Sequence, residues 1–233
     1  MSQLRQRLEH SRFLANVLAA LARGYISLCM RTTRWQIEGS DELSAALKNG
    51  PVMYVMWHER SLLAAPQWPL KDGQLSTLYA SSPIGRVSGA LQRQCGLLPM
   101  EMSDTTSNIV ASRAILRRYR EGVSIGLTGD GPLGPARQMK DAPLEWARRG
   151  PMPVWGYAFA TAKHKQLGSW DTMRVPLPFT RGAIVFAPFE HPMTRRPTPE
   201  EIDQTRDAMA AFLDQVTERA DTIVSLNSKL AGR

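Results

Sequence analysis

Apolar positions along the chain gather into short uninterrupted runs, separated by segments whose apolar residues recur at helical spacing. PVMYVMW at 51–57 is of strand length and does not alternate, as expected of a strand buried on both faces of a parallel sheet. The rhythm repeats. LSTLYA (75–80) is followed by a helical stretch around Val87, Leu91 and Cys95 and then GLLPM. A helix over 105–120, capped by Ser103 or Asp104, leads into VSIGLTG (123–129), and a helix over 144–149 leads into PVWGYAFA (153–160). TRGAIVFAPFE (180–190) reads as one more strand. Ser40, Asp41 and Glu42 open a short helix that closes at Lys48, Asn49 and Gly50, with acids at its start, a base at its end and a glycine to cap it. Thr198-Pro199-Glu200-Glu201 starts a last helix, which runs on through Ile202, Met209, Leu213, Val216 and Ile223. Strands alternating with helices predict an α/β fold with a mixed, mostly parallel sheet flanked by helices.

The longest apolar stretch, FLANVLAALARGYISLCM at 13–30, stands apart near the N-terminus. Arg5, Arg7 and Arg12 precede it, Arg31 and Arg34 follow it, and Arg23 interrupts it. A bilayer span needs roughly 20 mainly apolar residues, and a central arginine costs a few kcal/mol. A helix lying in the interface with its arginines reaching to phosphates fits this composition better than a span. A cleaved signal peptide and an amphipathic helix packed on the domain's own core are the other readings. The expected division is therefore 1–34, an N-terminal amphipathic or membrane-anchoring helix, and 35–233, one α/β domain that includes the C-terminal helix.

Composition sharpens the choice of partner. Among 233 residues, 43% are hydrophobic and 21% charged, which disfavours a disordered chain or a polytopic membrane protein. Twenty-nine Lys and Arg against 21 Asp and Glu leave a formal charge of +8, favouring anionic partners such as a phospholipid surface, an acidic carrier or nucleic acid. No RNA-binding aromatic motif, helix-turn-helix signature or zinc finger supports the last. Cys29 and Cys95 fit no metal-ligand spacing and read as free thiols, and the four histidines form no cluster, so no metal is expected.

Three segments carry candidate chemistry. Trp57-His58-Glu59-Arg60 begins where an apolar strand ends, and in open α/β sheets the crevice beyond strand carboxyl ends is where ligands bind. An imidazole there is suited to take a proton from a hydroxyl near neutral pH. It is also consistent with an ordinary core-edge histidine. Asp130-Gly131-Pro132-Leu133-Gly134-Pro135 is a tight loop in which glycines allow close backbone approach to a ligand, with Arg137 and Lys140 following to hold an anion; a rigid connecting turn is the plainer reading. Ser169-Trp170-Asp171 with Pro176-Leu177-Pro178-Phe179 reads as loop packing, or as a lid or groove wall.

In combination and order, WHER (57–60), TGDGPLGPAR (128–137), ARRGPMPVWG (147–156) and GSWDTMRVPLPFTR (168–181) resemble the bacterial lysophospholipid-acyltransferase-like family, a distant relative of the glycerolipid acyltransferases. The resemblance covers roughly 35–190. It implies a glycerolipid-acyltransferase-like fold on the cytoplasmic face of the bacterial inner membrane, held peripherally or by a single N-terminal anchor. It also implies an acyl carrier protein or CoA thioester as co-substrate, with no bound cofactor. His58 falls on the histidine of the wider superfamily's H-x4-D motif, which deprotonates the acceptor hydroxyl; the DGPLGP loop falls near its acceptor-binding motif. By that resemblance His58 and Asp130 are the catalytic candidates, and Glu59, Arg60, Gly131, Gly134 and Arg137 the substrate-binding ones. The sequence departs from the pattern at Leu63, where the superfamily has its aspartate. Glu59, on a continuing strand, would point to the opposite face, so Asp130 is the expected partner of the imidazole. A second departure, Pro99-Met100-Glu101-Met102-Ser103-Asp104, lacks an arginine that would bind a glycerol phosphate, leaving lipid A precursors and other membrane lipids open as acceptors.

The expected function is O-acyl transfer from a carrier-protein or CoA thioester to a membrane lipid, a lysophospholipid or lipid A-type acceptor, with no nucleic acid as partner. The alternative is a non-catalytic lipid-binding or scaffolding protein that keeps the acyltransferase fold and has lost its relay at position 63.

Overall fold

The computed structural model describes residues 11–102, 108–194 and 196–230. A long helix α1 (Arg12–Thr32) precedes β1 (Arg34–Glu38) and α2 (Ser40–Asn49). β2 (Met53–Met56) runs into a single 3-10 turn at His58–Arg60 and a short α3 (Ala64–Gln67). Then come β3 (Leu75–Ala80), α4 (Pro83–Gln94), β4 (Met100–Met102), α5 (Asn108–Arg120), β5 (Ser124–Thr128), α6 (Asp141–Arg149) and β6 (Val154–Thr161). A small hairpin of β7 (His164–Gln166) and β8 (Arg174–Pro176) leads to β9 (Arg181–Pro188) and the long α7 (Pro199–Leu230). The expected cap of α5 at Ser103 or Asp104, and the start at 105, lie outside the described residues.

The fold is the expected α/β one: a seven-stranded sheet of order β1-β9-β6-β2-β5-β3-β4, flanked by helices. β6, β2, β5, β3 and β4 run parallel, while β9 is antiparallel to β6 and carries β1 parallel to itself. β2 lies at the centre, and all four of its residues are buried. Val52, Tyr54 and Met56 meet Ile26 of α1, Leu43 and Leu47 of α2 and the residues around α3. Met53, Val55 and Trp57 meet Ile115 of α5, Leu144 and Trp146 of α6 and Met209 and Leu213 of α7. Burial on both faces is why this strand shows no alternation in sequence.

β6 is asymmetric. Trp155, Tyr157 and Phe159 fill the α1–α2 side, whereas Ala158 and Ala160, with Ala183 of β9, let Val216, Ala220 and Ile223 of α7 lie close on the other. α7 begins with a reciprocal cap: the Glu201 N–H donates to Thr198 Oγ1 (3.3 Å) and the Thr198 N–H to Glu201 Oε2 (2.7 Å). α1 is long and apolar enough, by length and composition, to cross a membrane. It nevertheless packs along α4 and buries Ala15, Ala19, Ile26 and Cys29.

Because β6 and β9 are antiparallel, the end of β6, the start of β9 and the β7–β8 hairpin lie at the same end of the sheet as the carboxyl end of β2. That geometry brings His58 and the segment 162–180, far apart in sequence, to one place.

Candidate active site

β2 delivers His58. Directly after Trp57 the chain leaves the sheet in the 3-10 turn, so the three residues of WHER that follow the tryptophan diverge instead of alternating. His58 stays partly open to solvent, with 27% of its side chain exposed, while Glu59 and Arg60 turn inward and are buried.

The imidazole has a carboxylate partner. Nδ1 of His58 lies 2.6 Å from Oδ2 of Asp171, which sits in the loop between β7 and β8 with 3% of its side chain exposed. The Ser169 hydroxyl donates to the other oxygen of Asp171, and the Met173 N–H approaches that oxygen at 3.4 Å. Burial pushes the Asp171 carboxyl up, but the Ser169 hydroxyl and the His58 imidazole outweigh it and hold the group below its ordinary value. An ionised Asp171 can only accept, so Nδ1 carries a proton, and in the neutral imidazole that leaves the lone pair on Nε2. The indole of Trp170 lies 5.1 Å from the imidazole, centroid to centroid.

This corrects the expectation that Asp130 partners the imidazole. Asp130 is almost fully buried, and its carboxylate accepts the backbone N–H of His58 (3.0 Å) and that of Arg137 (3.1 Å). Burial raises its pKa, partly offset by those two N–H groups. Asp130 thus pins the 130–137 loop to the end of β2, acting on His58 through the backbone. Gly131 and Gly134 both have φ +69, a conformation that favours glycine. A Cβ on Gly134 would come within 2.4 Å of the Trp170 ring, so the loop packs directly against the residue beside the imidazole.

The expected substrate-binding charges are engaged elsewhere. Arg60 is fully buried: Nε donates to Glu59 Oε1 (2.9 Å), Nη1 to the Phe159 carbonyl (2.7 Å), and Nη1 and Nη2 to Asp221 of α7 (3.1 and 2.7 Å). Arg137 donates to Glu59 (2.6 Å) and Asp214 (3.2 Å), and Arg174 of β8 donates to Asp221 (2.9 Å). Burial would raise Glu59 and Asp221, but their arginine partners hold both below the ordinary range. Glu59, Arg60 and Arg137 therefore form an ion network beneath the site that ties the His58 turn, the 130–137 loop and the hairpin to α7. Trp57 joins it, donating Nε1–H to Asp214 (2.9 Å). Arg60 is a core residue and not one that meets a substrate.

Leu63, the point at which the sequence departs from the resembled pattern, is fully buried in the apolar core, where a carboxylate would be left unpaired. Asp171 takes the position on the imidazole from 113 residues further along the chain. The sequence held one signal for it: Asp171 is the sole acid between 162 and 189. Asp214 and Asp221, seven residues apart and hence on one face of α7, are likewise invisible as partners of Arg137 and Arg60 without the fold. Among the described residues no group of His, Cys, Asp and Glu is placed to hold a metal ion.

No protein-family model matches the chain. It is 25% identical over 178 residues to an uncharacterized protein of Rickettsia prowazekii (strain Madrid E), an alignment covering 76% of this chain and 81% of that protein.

Proposed function

We propose that the protein is an O-acyltransferase of glycerolipid-acyltransferase-like fold, moving an acyl chain from an acyl-carrier-protein or CoA thioester to a hydroxyl of a membrane lipid. The observation that carries this reading is the 2.6 Å contact between His58 Nδ1 and a buried Asp171, at the carboxyl end of the central strand. Such a pair fixes the tautomer and stabilises the imidazolium that proton abstraction creates. Nε2 takes the proton of the acceptor hydroxyl as its oxygen attacks the thioester carbonyl. The tetrahedral intermediate then collapses, the C–S bond breaks, and the proton on Nε2 passes to the departing thiolate. Trp170 lies beside the imidazole, and the 130–137 loop packs on Trp170. The seat is the cytoplasmic face of the bacterial inner membrane.

The arrangement also favours this reading over a relic that keeps only a lipid-binding groove, since a relic has no need of a carboxylate on its histidine. The test is transfer from labelled acyl-carrier-protein and acyl-CoA thioesters to a panel of extracted bacterial lipids, with product identified by mass. Wild type should form an acylated lipid and His58→Ala should form none. Absence of product from the folded wild type across the panel would leave the lipid-binding alternative.

A further inference from the structure

Several of the large apolar side chains left uncovered on the described surface can be followed from α1 towards the site, while others, among them Ile84, Val110 and Leu226, belong to α4, α5 and α7. α1 exposes Phe13, Val17, Leu18, Leu21 and Leu28 along its 21 residues, Phe13 at 79%. Past the end of α1 comes Phe179, 73% exposed, whose N–H donates to Thr32 Oγ1 (3.1 Å). Trp170 in the hairpin follows, beside His58, and then Leu133, 87% exposed at the tip of the loop that packs on Trp170 through Gly134. Large apolar side chains gathered this way mark a docking face.

The charge along this path is of one sign. Residues 11–37 contain Arg12, Arg23, Arg31 and Arg34 and no acid; residues 162–189 contain Lys163, Lys165, Arg174 and Arg181 and one acid, the buried Asp171. Arg31, Arg34, Lys163 and Lys165 are exposed around the end of α1 and the hairpin. Apolar residues bordered by bases complement an anionic lipid surface, where each Lys or Arg adds attraction within a Debye length.

α1 is also fixed to the domain along its length. Gln94 Nε2 donates to the Asn16 carbonyl (3.0 Å) near one end, and the Tyr25 hydroxyl to the Pro176 carbonyl (2.7 Å) towards the other. Between them Arg23 stands close enough to Cys95 to lower its thiol pKa, against a larger upward push from burial. A helix crossing a bilayer would have to give up these contacts and carry Arg23 into hydrocarbon.

We propose that this face seats in the plane of an anionic phospholipid surface. α1 lies along the interface without crossing it, and the mouth of the His58–Asp171 site, with Trp170 beside the imidazole, is turned to the lipid together with Leu133 and Phe179. This seating deepens the membrane location of the proposed function and does not use its transfer chemistry, so vesicle binding and acyl transfer fail or succeed as separate measurements.

The test uses the full chain with Cys95→Ser as background and an environment-sensitive fluorophore on Leu28→Cys, Leu133→Cys or Phe179→Cys in turn. Lys71→Cys, in the loop before β3 at the opposite end of the sheet, is the control. With phosphatidylglycerol-containing vesicles the first three labels should shift to the blue and be quenched by brominated lipid, while the fourth should not. Lys163→Glu with Lys165→Glu, both exposed, should weaken binding about tenfold or more, as should raised salt. Epitope tags on the two termini should be reached from the same side of the membrane in cells. Tags on opposite sides would overturn the proposal, since α1 would then cross. So would folded protein that ignores the vesicles, or equal quenching at position 71. A concentration-dependent dimer that shields positions 28 and 179 without vesicles would assign the face to a second copy and overturn it too.

Discussion

At the scale of single residues, Asp130 and Asp171 are two buried carboxylates near one histidine whose partners give them different work. Asp171 accepts from a hydroxyl and the imidazole, and those partners hold it ionised; Asp130 accepts two backbone N–H groups and is raised by burial. Asp171→Asn should cut transfer by about 10²-fold or more, because the amide no longer favours the Nδ1–H tautomer or the imidazolium. The folded pKa of Asp171 lies below its unfolded value of 3.8, so its contribution to stability is present above that pH and lost as pH falls through the folded pKa. Urea unfolding from pH 7 to 2 should therefore show wild type losing stability relative to Asp171→Asn only below about pH 4. Asp130→Asn turns one acceptor into a donor facing a backbone N–H and should cost about 1–3 kcal/mol in the same measurement.

At the scale of elements, the site is an encounter between three connections: the turn after β2, the loop after β5 and the β7–β8 hairpin. Each is held by another. Asp130 joins the first two through backbone N–H groups, Gly134 against Trp170 joins the second to the third, and Asp171 on His58 joins the third to the first. Gly134→Ala forces both a left-handed backbone on a Cβ and a Cβ into the Trp170 ring. It should destabilise the protein by more than about 1 kcal/mol and lower transfer with the His58–Asp171 pair chemically intact. Denaturant midpoints and assays on the same preparation check both effects.

At the scale of the whole molecule, α7 holds the site from behind. Asp214 and Asp221 receive Trp57, Arg60, Arg137 and Arg174, so α7 anchors all three connections through its carboxylates. Removing the cation at its centre leaves Glu59 and Asp221 short of a partner in partly or fully buried positions. Arg60→Ala should cost about 3–5 kcal/mol, whereas a network simplified to apolar residues of similar volume would cost much less. Thermal unfolding of Arg60→Ala beside a combined Glu59→Leu, Arg60→Met variant distinguishes the two.

The sequence by itself determined the α/β class and most elements, because apolar runs, helical spacing and caps are local features. The strand at 51–57, the Thr198 cap and His58 at a strand end were all legible in that way. β1 was not, since RWQIE at a sheet edge is only partly buried and shows no apolar run. The hairpin strands β7 and β8, three residues each, leave no periodicity to read. The 3-10 turn sends Glu59 and Arg60 inward, where strand alternation would have split them between two faces. Only the tertiary structure decided which carboxylate meets the imidazole. Asp130 is nearer in sequence, but a pairing across 113 residues is fixed by sheet order and by the antiparallel turn from β6 to β9, which no local pattern encodes.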